Sequence, residues 1–413
     1  MLKVLLYFVI GVLPLCYMAF YIGRKKARKG ELASGERYHS RPGHYGWYAV
    51  IWMAVPSMAV SFLFTILGST KIFPVPFSMH ITTLFILASG GLWFALKSVS
   101  PELKARNFIE KTIKLFLITA SLVSIITTVG IVISIIFESM KFFSHVNFFD
   151  FITGTKWSPD TAFLEGAGRS GDDAAKPEFG SVPIFAGTFM VTFIALTVAV
   201  PIGLLSAIFM SEYATPKVRG FVKPVLEILA GIPTVVYGFF AAITVSPLVV
   251  RAAEAIGLEA DYTNALTPGM VMGIMIIPFV SSLSDDVINA IPQNMREGSL
   301  ALGTTRSETM KYVMLPAAMP GIIAAVLLAL SRAIGETMIV VMAAGLRPNL
   351  TWNPLEGMTT VTVRIVDALT GDQAFDSLET LSAFGLGFVL LIMTLMLNIV
   401  SSVVIRKFRK QYD

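Results

Sequence analysis

Long apolar runs alternate with short polar segments through most of the chain. A helix crossing hydrocarbon needs about 20 apolar residues. The pattern therefore predicts spans at 2–22, 46–68, 77–96, 112–137, 183–210, 224–249, 268–288, 320–345 and 382–405. The first run has no small-residue cleavage site and is followed at once by GRKKARKG, the pattern of an uncleaved anchor with its N-terminus outside. Pro201, Pro233 and Pro278 interrupt three of the later runs. Each removes a helix hydrogen bond that hydrocarbon cannot replace, which fits either ordinary kinks or the bent walls of a transport pathway.

Composition agrees with the pattern. Of 413 residues, 55% are hydrophobic and only 14% charged, against about 25% charged in soluble domains. The chain is read as an all-α, polytopic, multi-pass membrane protein. Its net charge of +5 reflects basic loops and not a nucleic-acid partner. Lys and Arg number 22 on one set of alternate inter-span segments and 9 on the other. The richer set faces the cytoplasm, which places the C-terminal RKFRK there. Cys16 is the single cysteine, so an intrachain disulfide is ruled out.

Two regions differ in character. Residues 1–111 hold three spans and a basic linker, whereas 112–413 hold six spans and the conspicuous charges. The external stretch GAGRSGDDAAKPEFG is expected to be irregular. Glu212, Glu227, Asp285 and Asp286 fall near predicted cytoplasmic membrane edges and are read as interface-exposed carboxylates.

Residues 289–319 are too polar to span. Gln293–Leu302 favours a short helix, which Gly303 ends through the left-handed conformation. Thr305 and Glu308 have capping-box spacing and start a second helix, which Pro316 is expected to stop. Leu300, Met310, Val313 and Leu315 are left to pack on something. The segment resembles the EAA loop of ABC-importer permeases: Glu297, two small residues (Gly298 and Ser299), Gly303 six after the glutamate, and Val313-x-Leu315-Pro316. In that family the loop docks as a coupling helix on a separate ATPase subunit. G-x-x-x-x-G-K-[ST] does not occur in the chain, so ATP and Mg belong to a partner. The chain is expected to be no enzyme, with no cofactor of its own. His39, His44, His80 and His145 are scattered and give no metal site.

From residue 112 onward the resemblance narrows. FITGTKWSP, PIGLLSAIFMSEYA, LEILAGIPTVVYGFFA and LALSRAIGETMIVVMAAG are similar to stretches of bacterial phosphate-importer permeases, most like the PstC type. The resemblance implies a MetI-like permease core in the bacterial inner membrane. It also implies a second, PstA-like permease subunit, an ATPase dimer, an extracytoplasmic phosphate-binding protein and a lipid environment. The first three spans lie outside that core.

Within SRAIGET, Arg332 falls about 18 Å into its predicted span at 1.5 Å per residue, near the bilayer midplane. A charge there costs about 3 to 17 kcal/mol unless it faces protein or water. Glu336, four residues on, would share its helical face and form a near-neutral pair with it. Such a pair either locks two helices together or presents the guanidinium to a passing anion, with Glu336 accepting a proton-bearing phosphate oxygen. Ser331 and Thr337 either line the path or bond back to their own helix. Three other readings are a permease for sulfate or molybdate, an ion-gradient-driven transporter, and a non-transporting scaffold that senses phosphate supply.

Overall fold

Each predicted apolar run is helical in the computed structural model, which describes residues 2–35, 37–69, 76–159, 177–370 and 377–409. Contacts divide the chain into two units, Met1–Gly130 and Ile131–Asp413, a border further along than residue 111.

The first unit contains α1 (Leu2–Ser34), α2 (Pro42–Ser69), α3 (Phe77–Lys97) and the start of α4 (Ala105–His145). Small residues let the helices meet: Ala27, Ala49, Ala95 and Ala105 are fully buried around Tyr45. The Tyr45 hydroxyl donates to the Leu103 carbonyl at 3.0 Å. Trp52 packs on Phe94 and Phe108 beside it.

The second unit continues α4 and adds α5 (Phe148–Thr153) and two short antiparallel strands, β1 (Trp157–Ser158) and β2 (Glu178–Phe179). Phe142, Phe151, Trp157 and Phe179 form a buried edge-to-face aromatic cluster with them. Most of the stretch expected to be irregular, residues 160–176, lies outside the described residues; its end pairs as β2. Next come α6 (Val182–Ile208) and, beyond a π turn at Phe209–Tyr213, α7 (Pro216–Gly231). After them α8 (Thr234–Phe240) leads through a π turn at Ala241–Val245 into α9 (Ser246–Ala255), followed by α10 (Leu266–Ala290). The polar segment forms α11 (Gln293–Ala301) and α12 (Arg306–Thr309), which passes through a π turn at Met310–Met314 into α13 (Leu315–Ile334). The chain ends with α14 (Met338–Ala343), α15 (Val361–Thr370) and α16 (Leu378–Arg409).

The centre of this unit is the α6–α10 pair. A Cβ added at Gly273 would lie 2.8 Å from the Val198 Cβ and 2.9 Å from the Ala195 carbonyl, and one at Gly269 would lie 2.7 Å from Ile194. Only glycine lets the two helices approach this closely, the small-xxx-small device of membrane helices.

Among the described residues, seven helices are long and apolar enough to cross a membrane. The predicted span at 77–96 falls short, with an apolar helix of Ile81–Lys97. Three further expectations are corrected. The run 224–249 is not one helix. It breaks at Ile232 and Pro233, both extended, so the spanning helix is Thr234–Ala255 and α7 is a separate amphipathic helix with no buried residue. The run 320–345 also breaks, at Gly335–Thr337. Pro316, conversely, stops nothing: Arg306–Ile334 is one continuous helix. A proline ring clashes with the carbonyl four residues back in a regular α-helix. The π turn immediately before it widens the backbone there, and the turn at Ala241–Val245 does the same ahead of Pro247. Pro201 and Pro278 lie inside continuous helices.

Candidate functional site: a charge-lined cavity and a polar hairpin

Arg332 sits in the last turn of α13, where free carbonyls and the negative end of the helix dipole favour a cation. The helix ends at Ile334 with Gly335 as its C-cap, so the four-residue spacing no longer brings Glu336 beneath Arg332. Among the described residues Arg332 has no carboxylate within ion-pair distance, and the expected Arg332–Glu336 pair is absent. Instead the guanidinium lies over the Phe279 ring, 5.7 Å from its centroid, a cation–π arrangement. The residue is exposed in the single chain.

Arg332 lines a cavity of about 200 Å³. Its walls come from α7 (Lys223, Leu226, Glu227, Ala230) and α10 (Met275, Pro278, Phe279, Ser282, Asp285), with Met210 closing it. Ser331, Glu336 and Thr337 do not line it. Ser331 is half-buried on α13. The Thr337 hydroxyl bonds back to the Gly335 carbonyl at 3.3 Å. Glu336 is half-buried, and its main-chain carbonyl accepts from the Thr362 hydroxyl at 2.9 Å.

Two of the carboxylates expected at an exposed membrane edge are buried. Asp285 is 0% exposed; Arg219 Nη2 donates to its Oδ2 at 2.8 Å and Asn289 Nδ2 to its Oδ1 at 2.8 Å. Glu212, 7% exposed at its side chain, meets Arg296 at 3.1 Å. The reason is the break at Pro233, which turns α7 back against α10 and carries Arg219 and Lys223 to Asp285. Asp286 and Glu227 are exposed as expected. Acidic and basic residues sixty or more positions apart carry no local pairing signal, so sequence reading missed Arg219, Lys223 and Arg296.

Apart from Pro316, the polar segment 289–319 folds as its spacing predicts. Gly303 takes φ +87°, and Thr305 and Glu308 form a reciprocal capping box. A hydroxyl cluster holds the hairpin shut: Ser299 Oγ lies 2.7 Å from Thr304 Oγ1 and 3.1 Å from Thr309 Oγ1. Ser299 therefore packs within the hairpin. Gly298 is different, since a Cβ there would meet nothing within 4 Å. Glu297 and Pro316 are exposed, Val313 and Leu315 half-buried, and Met310 buried. Leu302 is 88% exposed and Leu300 40%, leaving an apolar rim on the hairpin.

A chain with seven helices, among the described residues, long and apolar enough to cross a membrane, with a polar helical hairpin and a cation at the wall of a cavity, has the form of a transport-system membrane subunit. The model of the family described as binding-protein-dependent transport system inner membrane component matches residues 199–412, and the chain belongs to that family. A second model, described as phosphate ATP-binding cassette transporter, matches residues 9–73, within the extension that the core leaves unexplained. Among curated relatives, the probable ABC transporter permease YqgH of Bacillus subtilis is 31% identical over 68% of this chain and 86% of that protein. The phosphate transport system permease PstC 1 of Mycobacterium tuberculosis is 32% identical, covering 63% of this chain and 83% of the relative. PstC of Mesorhizobium japonicum is 30% identical, over 67% and 84%.

Proposed function

We propose that the chain is the PstC-type permease subunit of an ATP-driven phosphate importer, and that Arg332 is its anion contact. The observation that carries the anion role is a guanidinium in the last turn of a membrane-spanning helix, exposed at a cavity and with no carboxylate within ion-pair distance among the described residues. In hydrocarbon such a charge would cost several kcal/mol. It is tolerable where it faces water or a partner surface, and its planar fork matches two oxygens of a tetrahedral oxyanion. PstC relatives and the phosphate-transporter model over residues 9–73 support phosphate as that oxyanion.

The remaining parts follow in the same reading. A second, PstA-like permease subunit covers the exposed Arg332 face. An ATPase dimer docks on the hairpin through Glu297, Gly298 and the Leu300–Leu302 rim, while Ser299, Gly303, Val313, Leu315 and Pro316 hold the hairpin's shape. An extracytoplasmic binding protein delivers phosphate from outside. The N-terminus lies outside and the C-terminus inside. ATP-driven closure of the ATPases moves the hairpins together and opens the pathway outward; hydrolysis resets it.

The test is ATP-dependent phosphate uptake by the complete transporter in vesicles. Glu297→Arg should abolish uptake by blocking docking, and uptake should fall to background without ATP. Uptake that persists without ATP and survives the hairpin substitution would point to a gradient-driven carrier.

A further inference from the structure

The cavity that holds Arg332 has a second cation among its lining residues, Lys223. Asp285 already has both oxygens satisfied, Oδ2 by Arg219 and Oδ1 by Asn289, each at 2.8 Å. Lys223 Nζ stands further away, 3.5 Å from Asp285 Oδ2 and 3.6 Å from Asp286 Oδ1. Both separations exceed the 2.7–2.9 Å of a strong charge-assisted bond. Its side chain is 34% exposed, and it lines the same cavity as Arg332. Lys223 is thus a cation in excess of what Asp285 needs, loosely tethered on a flexible stem. The Ser282 hydroxyl lines the same cavity, and Glu227 adds one negative charge a turn beyond Lys223.

We propose that Lys223 is a second anion contact, a release-side subsite that takes the tetrahedral oxyanion from Arg332 and passes it to the cytoplasmic mouth. This rests on the reading of Arg332 as the first contact. Conduction needs sites strong enough to admit an ion and weak enough to let it leave. An arginine with no carboxylate within ion-pair distance among the described residues admits it. A lysine with two carboxylates within 4 Å returns to them once the anion departs, so the release site resets itself. A lysine suits the second position because its ammonium is a point charge on a rotatable stem, not a rigid fork.

The test uses the assembled transporter in proteoliposomes with inorganic phosphate, in a Cys16→Ser background because Cys16 is the single native cysteine. Lys223→Cys should lower the maximal uptake rate about tenfold, the size of one lost charge-assisted bond. Aminoethyl methanethiosulfonate, which rebuilds an ammonium on the cysteine, should restore uptake; the sulfonatoethyl reagent should not. Phosphate should slow the modification, which a purely structural lysine would not allow. Lys223→Gln serves as a second variant and should show the same loss with an unchanged melting temperature. Wild-type uptake by both variants, or modification indifferent to phosphate, overturns the proposal. If Arg332→Ala abolishes uptake while Lys223→Cys does not, only the relay fails; if neither variant changes uptake, the reading of Arg332 fails with it.

Discussion

Glu212 and Arg296 meet at 3.1 Å, tying the π turn that follows α6 to α11, the first helix of the hairpin. At the side chains they are 7% and 19% exposed. The pair links the hairpin proposed to meet the ATPase with a helix packed against α10, the wall of the Arg332 cavity. Removing one partner of a buried pair costs about 3–5 kcal/mol, because the other charge is left unpaired. Arg296→Met should therefore lower the melting temperature of the purified complex and reduce transport per ATP hydrolysed. The double variant Glu212→Gln/Arg296→Met should recover most of the lost stability. Thermal unfolding in detergent, combined with a coupled uptake and ATPase assay, measures both.

Asp285 and Asp286 are adjacent but should behave oppositely. Asp285 is fully buried under Arg219, whereas Asp286 is 65% exposed. Asp285→Asn strands Arg219 and should destabilise the fold by about 3 kcal/mol or more. Asp286→Asn should shift the melting temperature little, as exposed pairs contribute about 0–1 kcal/mol.

The hairpin's bend and cap are separately testable. At φ +87°, Gly303→Ala forces a side chain into the left-handed region at a cost of about 1–2 kcal/mol. Thr305→Ala removes the cap on α12, worth about 1 kcal/mol. Hydrogen exchange across residues 301–309 should speed up in both variants while α10 stays protected. Uptake should fall in the assembled transporter.

Glu336 lies outside the Arg332 cavity of the single chain, so its part in anion selectivity is proposed for the passage shared with the second subunit. A carboxylate accepts a hydrogen bond from a protonated phosphate oxygen, which fully ionised sulfate cannot supply. Competition of sulfate against phosphate uptake should rise in Glu336→Gln. Unchanged discrimination would remove Glu336 from the selectivity account, and its structural position beyond the end of α13 would then be its whole role.

How far the chain could be read from its residues varied with the range of the interactions involved. Local signals held well: Gly303 and the Thr305–Glu308 box depend on neighbours within one or two turns and appear as predicted, and the apolar runs are helical although 224–249 and 320–345 break. Proline was harder. Pro233 breaks its run and Pro316 does not, because a π turn ahead of Pro316 absorbs the ring while Ile232 and Pro233 are extended. Nothing in either tripeptide marks that difference. The Arg332–Glu336 pairing failed for a similar reason, since helical spacing was assumed across Gly335, where the helix stops. The ion pairs at Asp285 and Glu212 were illegible, being created by the folding back of α7 and α11 and not by sequence proximity.

The central claim is most directly tested by a density map of the complete transporter with phosphate bound in the membrane. A tetrahedral density within hydrogen-bonding distance of the Arg332 guanidinium, in a passage bounded by both permease subunits, is the predicted result. A side chain enclosed by apolar packing, with the phosphate density elsewhere, would contradict it.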